Sequence, residues 1–288
     1  MGDSVRVVTV GRRRLRVAVR PGTDPDRPPL LLCNGIGASL DLLDPFVDAL
    51  DPAIEVVRFD PPGVGGSPVP TLPYPFPALA GLVGRLLDTL GYDRFDVLGI
   101  SWGGGLAQQL ALQNPRRCRQ VVLVATATGW MMVPARPKVL AHMATPRRYW
   151  DAGYARSIAG RIYGGSLRDR PDLVQKLLLD YERKLSARGY LYQLATGAGW
   201  TSTPFLPLIG QPTLILAGAD DPIIPLVNAR MMARLMPRSR LHVYDDGHLG
   251  LLTMKDELAA VVGEFLGVTP GTSTRRTRRW RRQRRPAG

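Results

Sequence analysis

Phe95-Asp96-Val97-Leu98-Gly99-Ile100-Ser101-Trp102-Gly103-Gly104 is the stretch on which the reading of this chain turns. A strand-like apolar run leads into Ser101, and a helix-like run over 106–113 leads away from it. A serine hydroxyl attacks a carbonyl only when it stands clear of its own backbone beside a base. A tight strand-to-helix turn with small residues on both sides presents it in that way. Gly99 and Gly103 supply the room. In a chain with 31 glycines the pattern is weak on composition alone, so partners elsewhere must carry the argument.

The partners follow downstream in order. After the apolar run 213–217 comes Asp220-Asp221-Pro222-Ile223-Ile224-Pro225, and after 241–244 comes Asp245-Asp246-Gly247-His248. Serine, aspartate and histidine in that chain order match α/β-hydrolases. The assignment is Ser101 as nucleophile, His248 as base and then acid, and Asp221 as the carboxylate that holds the ring in its productive tautomer. Asp220 competes for the last role. Asp221 is preferred because it sits where the loop turns at Pro222, which leaves Asp220 as a solvated turn residue. Upstream, the apolar run 30–33 ends in Asn34-Gly35-Ile36-Gly37. The main-chain N–H groups of Ile36 and Trp102 then form the expected oxyanion hole, with Asn34 and Gly35 beside the substrate.

Strand-like runs at 5–10, 15–19, 30–33, 55–59, 95–100, 121–125, 213–217 and 241–245 alternate with helical runs at 79–90, 106–113, 227–236 and 257–266. That alternation, with strands that read as nearly continuous apolar runs, implies a mostly parallel sheet covered on both faces, and with the Ser, Asp, His chain order the expected fold is that of the α/β-hydrolases. The expected architecture is a mostly parallel sheet of about eight strands with a hairpin at its edge and an inserted helical cap. Gly91 and Gly267 are fitting helix stops. Residues 1–128 and 206–267 form the expected core and 129–205 the cap, with helical pieces at 138–144 and 171–185. The segment between the sixth and seventh strands holds ten of the chain's 20 aromatics. Trp130, Met131, Met132 and Trp200 flank its two junctions and are the expected pocket walls, apolar enough to select acyl chains. The Gly-rich segment 60–67 lacks a following Lys-Ser/Thr and reads as a turn at the rim of the site rather than a phosphate loop.

Charge is unevenly placed. The 288 residues carry a formal +14, but residues 268–288 hold eight arginines and no acid, which leaves +6 for the rest. Such a block is expected to be disordered and drawn to anionic surfaces, with no specific nucleic-acid partner. The longest charge-free segment, 189–219, is broken by Pro204, Pro207 and Pro212, so no transmembrane segment is expected. Arg6, Arg12, Arg13, Arg14 and Arg16 leave no apolar signal core, and a cytoplasmic location follows. Cys33 and Cys118 read as reduced thiols. With only His142, His242 and His248 beside them, no metal or other cofactor is expected.

With these residues in view, the chain resembles the intracellular depolymerases of medium-chain-length poly(3-hydroxyalkanoates), a family of capped α/β-hydrolases. The likeness is carried by segments 34–38, 62–67, 99–104, 106–109, 132–134, 137–140, 146–149, 162–165, 199–202, 221–225 and 245–249. Several fall in the cap, where unrelated hydrolases diverge. The resemblance implies a serine esterase acting at the granule surface and releasing 3-hydroxyacyl acids or oligomers, and it puts the same roles on Ser101, Asp221 and His248. The Arg-rich tail and the doubled Pro61-Pro62 depart from the family's pattern; the tail suggests docking on a coated, anionic granule. An esterase of small soluble acyl esters is the alternative, and a non-catalytic granule- or polyanion-binding protein is the alternative of another class. A dehalogenase would need a carboxylate at position 101 and a polymer synthase a cysteine; Ser101 favours hydrolysis.

Overall fold

A computed structural model describes residues 3–174 and 185–268. The Arg-rich tail and most of the helix expected over 171–185 lie outside the described residues. Eight strands form one sheet: β1 (Ser4–Val10), β2 (Arg13–Arg20), β3 (Leu30–Cys33), β4 (Val56–Phe59), β5 (Phe95–Ile100), β6 (Cys118–Val124), β7 (Thr213–Gly218) and β8 (Ser239–Tyr244). Their spatial order is β1-β2-β4-β3-β5-β6-β7-β8. β1 and β2 form an antiparallel edge hairpin and β2 joins β4 antiparallel; every later pairing is parallel.

The central strands are apolar throughout because both faces of the sheet are covered. Leu30, Leu32, Leu98, Ile100, Val122, Val124, Leu214 and Leu216 enter one core cluster. The alternate residues Leu31, Cys33, Val97, Val121, Leu123, Ile215 and Ala217 enter the other. This is the two-residue period of a strand written into two separate cores. Along the chain lie α1 (Asp44–Ala49), α2 (Phe76–Leu90), α3 (Trp102–Gln113), α4 (Pro137–Met143), α5 (Ala152–Tyr163), α6 (Ala187–Ala198), α7 (Leu226–Leu235), α8 (Gly250–Thr253) and α9 (Lys255–Leu266). Buried residues of α1, α5, α8 and α9 fill the first cluster, and those of α2, α3 and α7 the second. α2 starts behind a proline and stops at Gly91, whose φ of 85° lets its N–H close on Leu87 and Asp88. Gly267 ends α9 in the same left-handed conformation.

α4, α5 and α6 all lie between β6 and β7. α5 was not read from the sequence, although Asp151 caps it by accepting the Tyr154 N–H at 2.9 Å. Its face of Ala155, Ile158, Ala159 and Ile162 packs into the sheet's own first core cluster, not into a separate one. Past the segment outside the described residues, Ser186 caps α6, which begins at Ala187. The rim segment 60–67 is built around Asp60, whose carboxylate accepts the N–H groups of Leu40 at 2.6 Å and Gly66 at 2.8 Å. An acid therefore occupies the position a phosphate would need, and Asp60 ties the first loop of the site to this turn.

Candidate active site

The parallel register decides which loops meet. Cys33 pairs with Gly99, so the chain leaving β3 emerges beside the turn that carries Ser101. Gly218 pairs with Tyr244, so the loops after β7 and β8 emerge together. All four loops thus gather at the C-terminal ends of the strands.

Ser101 has φ 54° and ψ −120°, a conformation L-residues seldom adopt, and it precedes the first residue of α3. Its N–H is held by Val124 O at 2.9 Å and its carbonyl accepts Thr126 Oγ1 at 2.6 Å. The glycines around it are steric necessities. A Cβ on Gly99 would run into the Gly103 carbonyl, and one on Gly103 into the Cys33 carbonyl. A Cβ on Gly35 would come within 3.7 Å of Ser101 Cβ, which sets the β3 loop directly against the serine. Cys33, next to this turn, is a free buried thiol whose pKa burial pushes up, so it offers no competing nucleophile.

His248 is buried, and its Nδ1 lies 2.8 Å from Asp221 Oδ2. The other oxygen of Asp221 accepts the N–H groups of Ile223 and Ile224, each at 2.9 Å, so the loop locks the carboxylate in one orientation. Asp220 is not a free turn residue: Arg168 grips both its oxygens at 2.6 and 2.7 Å, and Gly165 N–H adds a bond of 2.8 Å. Those Arg168 hydrogen bonds hold the Asp220 carboxyl below the usual carboxylate range.

Ser101 and His248 open onto one narrow cleft, with a cavity volume of about 40 Å³. Gly35, Ile36, Ala38, Leu42, Ile100, Met143, Arg148, Tyr149, Tyr163, Ile223 and Leu249 complete its lining. Ile36 and Trp102 flank the serine; the N–H of Gly37 is engaged by Gln193 Oε1 at 2.8 Å, whereas that of Ile36 makes no hydrogen bond among the described residues. Trp102 opens α3, where an N–H has no partner in its own helix. Asn34 is buried and braces the same loop by donating from Nδ2 to Ser39 O at 2.6 Å.

The expected pocket walls are not walls of this cleft. Trp130 and Met131 stand exposed, Met132 is half-buried, and none of these lines it. Trp200 sits in the second core cluster, on the opposite side of the sheet from the cleft, with its ring 5.0 Å from Phe76 and its Nε1 donating to Gln109. The cause is the pairing of the two junctions: Gly129 bridges Thr201, and Trp130 N–H donates to Trp200 O at 3.0 Å. Residues that sequence reasoning missed take the place instead. Tyr149 Oη donates to Ile36 O at 2.7 Å, Tyr163 O accepts His248 N–H at 2.7 Å, and Arg148 closes the wall. Tyr149 and Tyr163 are among the ten aromatics of the segment between β6 and β7, and 146–149 and 162–165 carry the family likeness, but neither signal singles them out. His142 is half-buried, with Nδ1 2.8 Å from Tyr154 Oη.

Comparison with known proteins places the chain in a family. The α/β hydrolase fold family matches residues 28–253. A poly(3-hydroxyalkanoate) depolymerase of Ectopseudomonas oleovorans is 50% identical over 91% of this chain and 92% of the relative. The 3-oxoadipate enol-lactonase 2 of Acinetobacter baylyi is 30% identical over 78% of this chain and 83% of its own. Among solved structures, the enol-lactonase from Burkholderia xenovorans superposes with a TM-score of 0.79 at 25% identity, covering 91% of this chain and 99% of that one.

Proposed function

The chain belongs to the α/β-hydrolase family and, within it, to the poly(3-hydroxyalkanoate) depolymerases, and from that premise we propose that it cleaves the ester bonds of intracellular medium-chain-length poly(3-hydroxyalkanoate) through an acyl-serine intermediate. It is a carboxylic ester hydrolase. The products are 3-hydroxyalkanoic acids or their oligomers.

One observation carries the reading at the level of chemistry: a buried His248–Asp221 pair, 2.8 Å apart, on the same cleft as a serine held in a strained turn. With Asp221 accepting the proton on Nδ1, the lone pair of His248 is left on Nε2, the atom that takes the Ser101 proton. Ser101 Oγ adds to the ester carbonyl, the N–H groups of Ile36 and Trp102 receive the oxyanion, and His248 returns the proton to the departing alkoxide. Water then repeats the sequence on the acyl-serine. Each oxyanion donor of this kind supplies about 2.7–4 kcal/mol of transition-state stabilisation. Ala38, Leu42, Ile100, Met143, Ile223 and Leu249 give the acyl chain an apolar bed.

Action at a granule surface in the cytoplasm is part of the same proposal. Trp130, Met131, Val133, Leu140 and Trp150 are exposed large apolar side chains within one stretch of the insertion, suited to an apolar polymer face. The eight arginines of the tail would add attraction to an anionic coat, and removing residues 270–288 should weaken granule binding at low salt. No described helix is long and apolar enough to cross a membrane.

The deciding measurement is 3-hydroxyacid release from amorphous medium-chain-length polymer particles by the wild type and by Ser101→Ala. Release by the wild type alone supports polymer and nucleophile together. Activity confined to soluble acyl esters and lost in the variant removes the polymer; activity on neither leaves a binding protein.

A further inference from the structure

Arg148 lines the cleft and takes no part in the ester hydrolysis described above. Its side chain is 1% exposed, yet no carboxylate pairs with it among the described residues. Arg58, similarly buried, is held by Asp3 and Asp44. Arg148 instead donates to three neutral oxygens: Nη1 to Thr145 O at 3.1 Å and to Tyr190 Oη at 2.9 Å, and Nη2 to Tyr149 Oη at 3.3 Å. The rings of Tyr149 and Tyr190 lie 4.5 and 5.3 Å from its guanidinium carbon. A guanidinium has five N–H donors. Three are used, and Nε is buried without a partner. The two donors left are the Nε–H and one Nη2–H, on the neighbouring nitrogens that grip a carboxylate bidentately.

A buried charge without a counterion is among the most unfavourable things a fold can hold. Here it is held rigidly, by stacking and neutral acceptors, on the wall of the catalytic cleft, with its anion-binding edge unspent. We propose that Arg148 binds the free carboxylate at the acid end of the polyester, so that the terminal 3-hydroxyacyl unit is the leaving group. The inference rests on the polyester reading above and adds the direction of cleavage to it.

The chemistry balances without a co-reactant beyond water. The Ser101 Oγ–acyl bond forms and the acyl–oxygen bond to the terminal unit breaks. The serine proton passes through His248 to the 3-oxygen of that unit. It departs as a 3-hydroxyalkanoate whose carboxylate Arg148 had held. Water then adds to the acyl-serine, its proton returning to Oγ through His248, and the shortened chain leaves with a new carboxylate. Each turnover therefore regenerates the group that Arg148 recognises.

The test compares a 3-hydroxyoctanoate trimer bearing a free acid end with the same trimer capped as a primary amide. For the wild type, kcat/KM is expected to be at least tenfold higher for the free acid, chiefly through KM, with the acid-end unit released first. In Arg148→Met the ratio should fall towards one, and Arg148→Lys should restore part of it. A purely structural Arg148 would lower both substrates together and leave the ratio unchanged. Equal hydrolysis of the two trimers by the wild type overturns the carboxylate site, whether or not the variants fold, and leaves the esterase reading standing. Failure to cleave either trimer overturns the polyester reading and this inference with it.

Discussion

The carbonyl of Tyr163, the last residue of α5, accepts the backbone N–H of His248 at 2.7 Å. The residues that follow continue the attachment. Gly165 N–H donates to Asp220, and Ser166 N–H to Asp246 at 2.7 Å. Arg168 then pairs with Asp220. One short stretch of the insertion therefore fastens the loop of the acid and the loop of the base. The position of His248 is coupled to the seating of α5, whose apolar face belongs to the sheet's core.

Gly165→Ala tests that coupling. Gly165 has φ 51°, and a Cβ there would collide with Asp246 Oδ1 and the Gly247 nitrogen. The substitution should cost about 1–3 kcal/mol of stability. It should also lower kcat, because the strain falls on the loop that carries His248. Thermal unfolding and kcat measured together check this; an unchanged kcat at reduced stability would uncouple the stretch from catalysis.

Ser101→Ala should reduce kcat by roughly 10⁶-fold, in line with loss of the nucleophile in other serine hydrolases. The protein should remain folded, because the alanine methyl occupies space that Cβ already fills. Retention of most activity on any ester would refute the assignment of Ser101.

Asp221→Asn and Asp220→Asn should behave oppositely. Loss of the Asp221 charge beside His248 should lower kcat by about 10⁴-fold, because an amide favours the wrong tautomer. Asp220→Asn should leave kcat within tenfold and act on stability. The folded-state pKa of Asp220 is depressed by its Arg168 hydrogen bonds, so its contribution is present above the unfolded value of about 3.9. It is lost as pH falls through the lower folded value. The stability gap between wild type and Asp220→Asn should therefore be seen at pH 7 and close in strong acid; denaturant titrations at the two pH values measure it.

Tyr149→Phe removes the hydroxyl that donates to Ile36 O and accepts from Arg148. The loop carrying the proposed oxyanion donor is then less firmly held. A fall in kcat of about tenfold, or ~1.4 kcal/mol in the barrier, is expected. An effect on KM alone would mean that the hydroxyl serves substrate binding rather than loop position.

Much of the fold was legible in the sequence because its signals are local. Continuous apolar runs at 30–33 and 95–100 coincide with β3 and β5, and Gly91 and Gly267 stop helices in the left-handed conformation that glycine tolerates. The choice of Asp221 over Asp220 as the partner of His248 was legible from the turn at Pro222, and the geometry pairs that residue with the ring. The pocket walls were not legible. Aromatic side chains at a chain junction look alike whether they face a cleft or a core, and the Gly129–Thr201 bridge took Trp200 to the far side of the sheet. Nor was the ion pair of Asp220 with Arg168 legible, since the two are 52 positions apart.

By itself, then, the sequence determined the strand-to-helix turn at Ser101, the order of its partners and the alternation that builds a two-faced parallel sheet. Each of these is written in residues close together along the chain. Only the tertiary structure decided which side chains enclose the cleft, that Tyr163 anchors His248, and that among the described residues Arg148 is held there by neutral oxygens rather than an acid. Those facts depend on the strand register and on how the insertion returns over the sheet, so the contacts join residues with no local pattern in common.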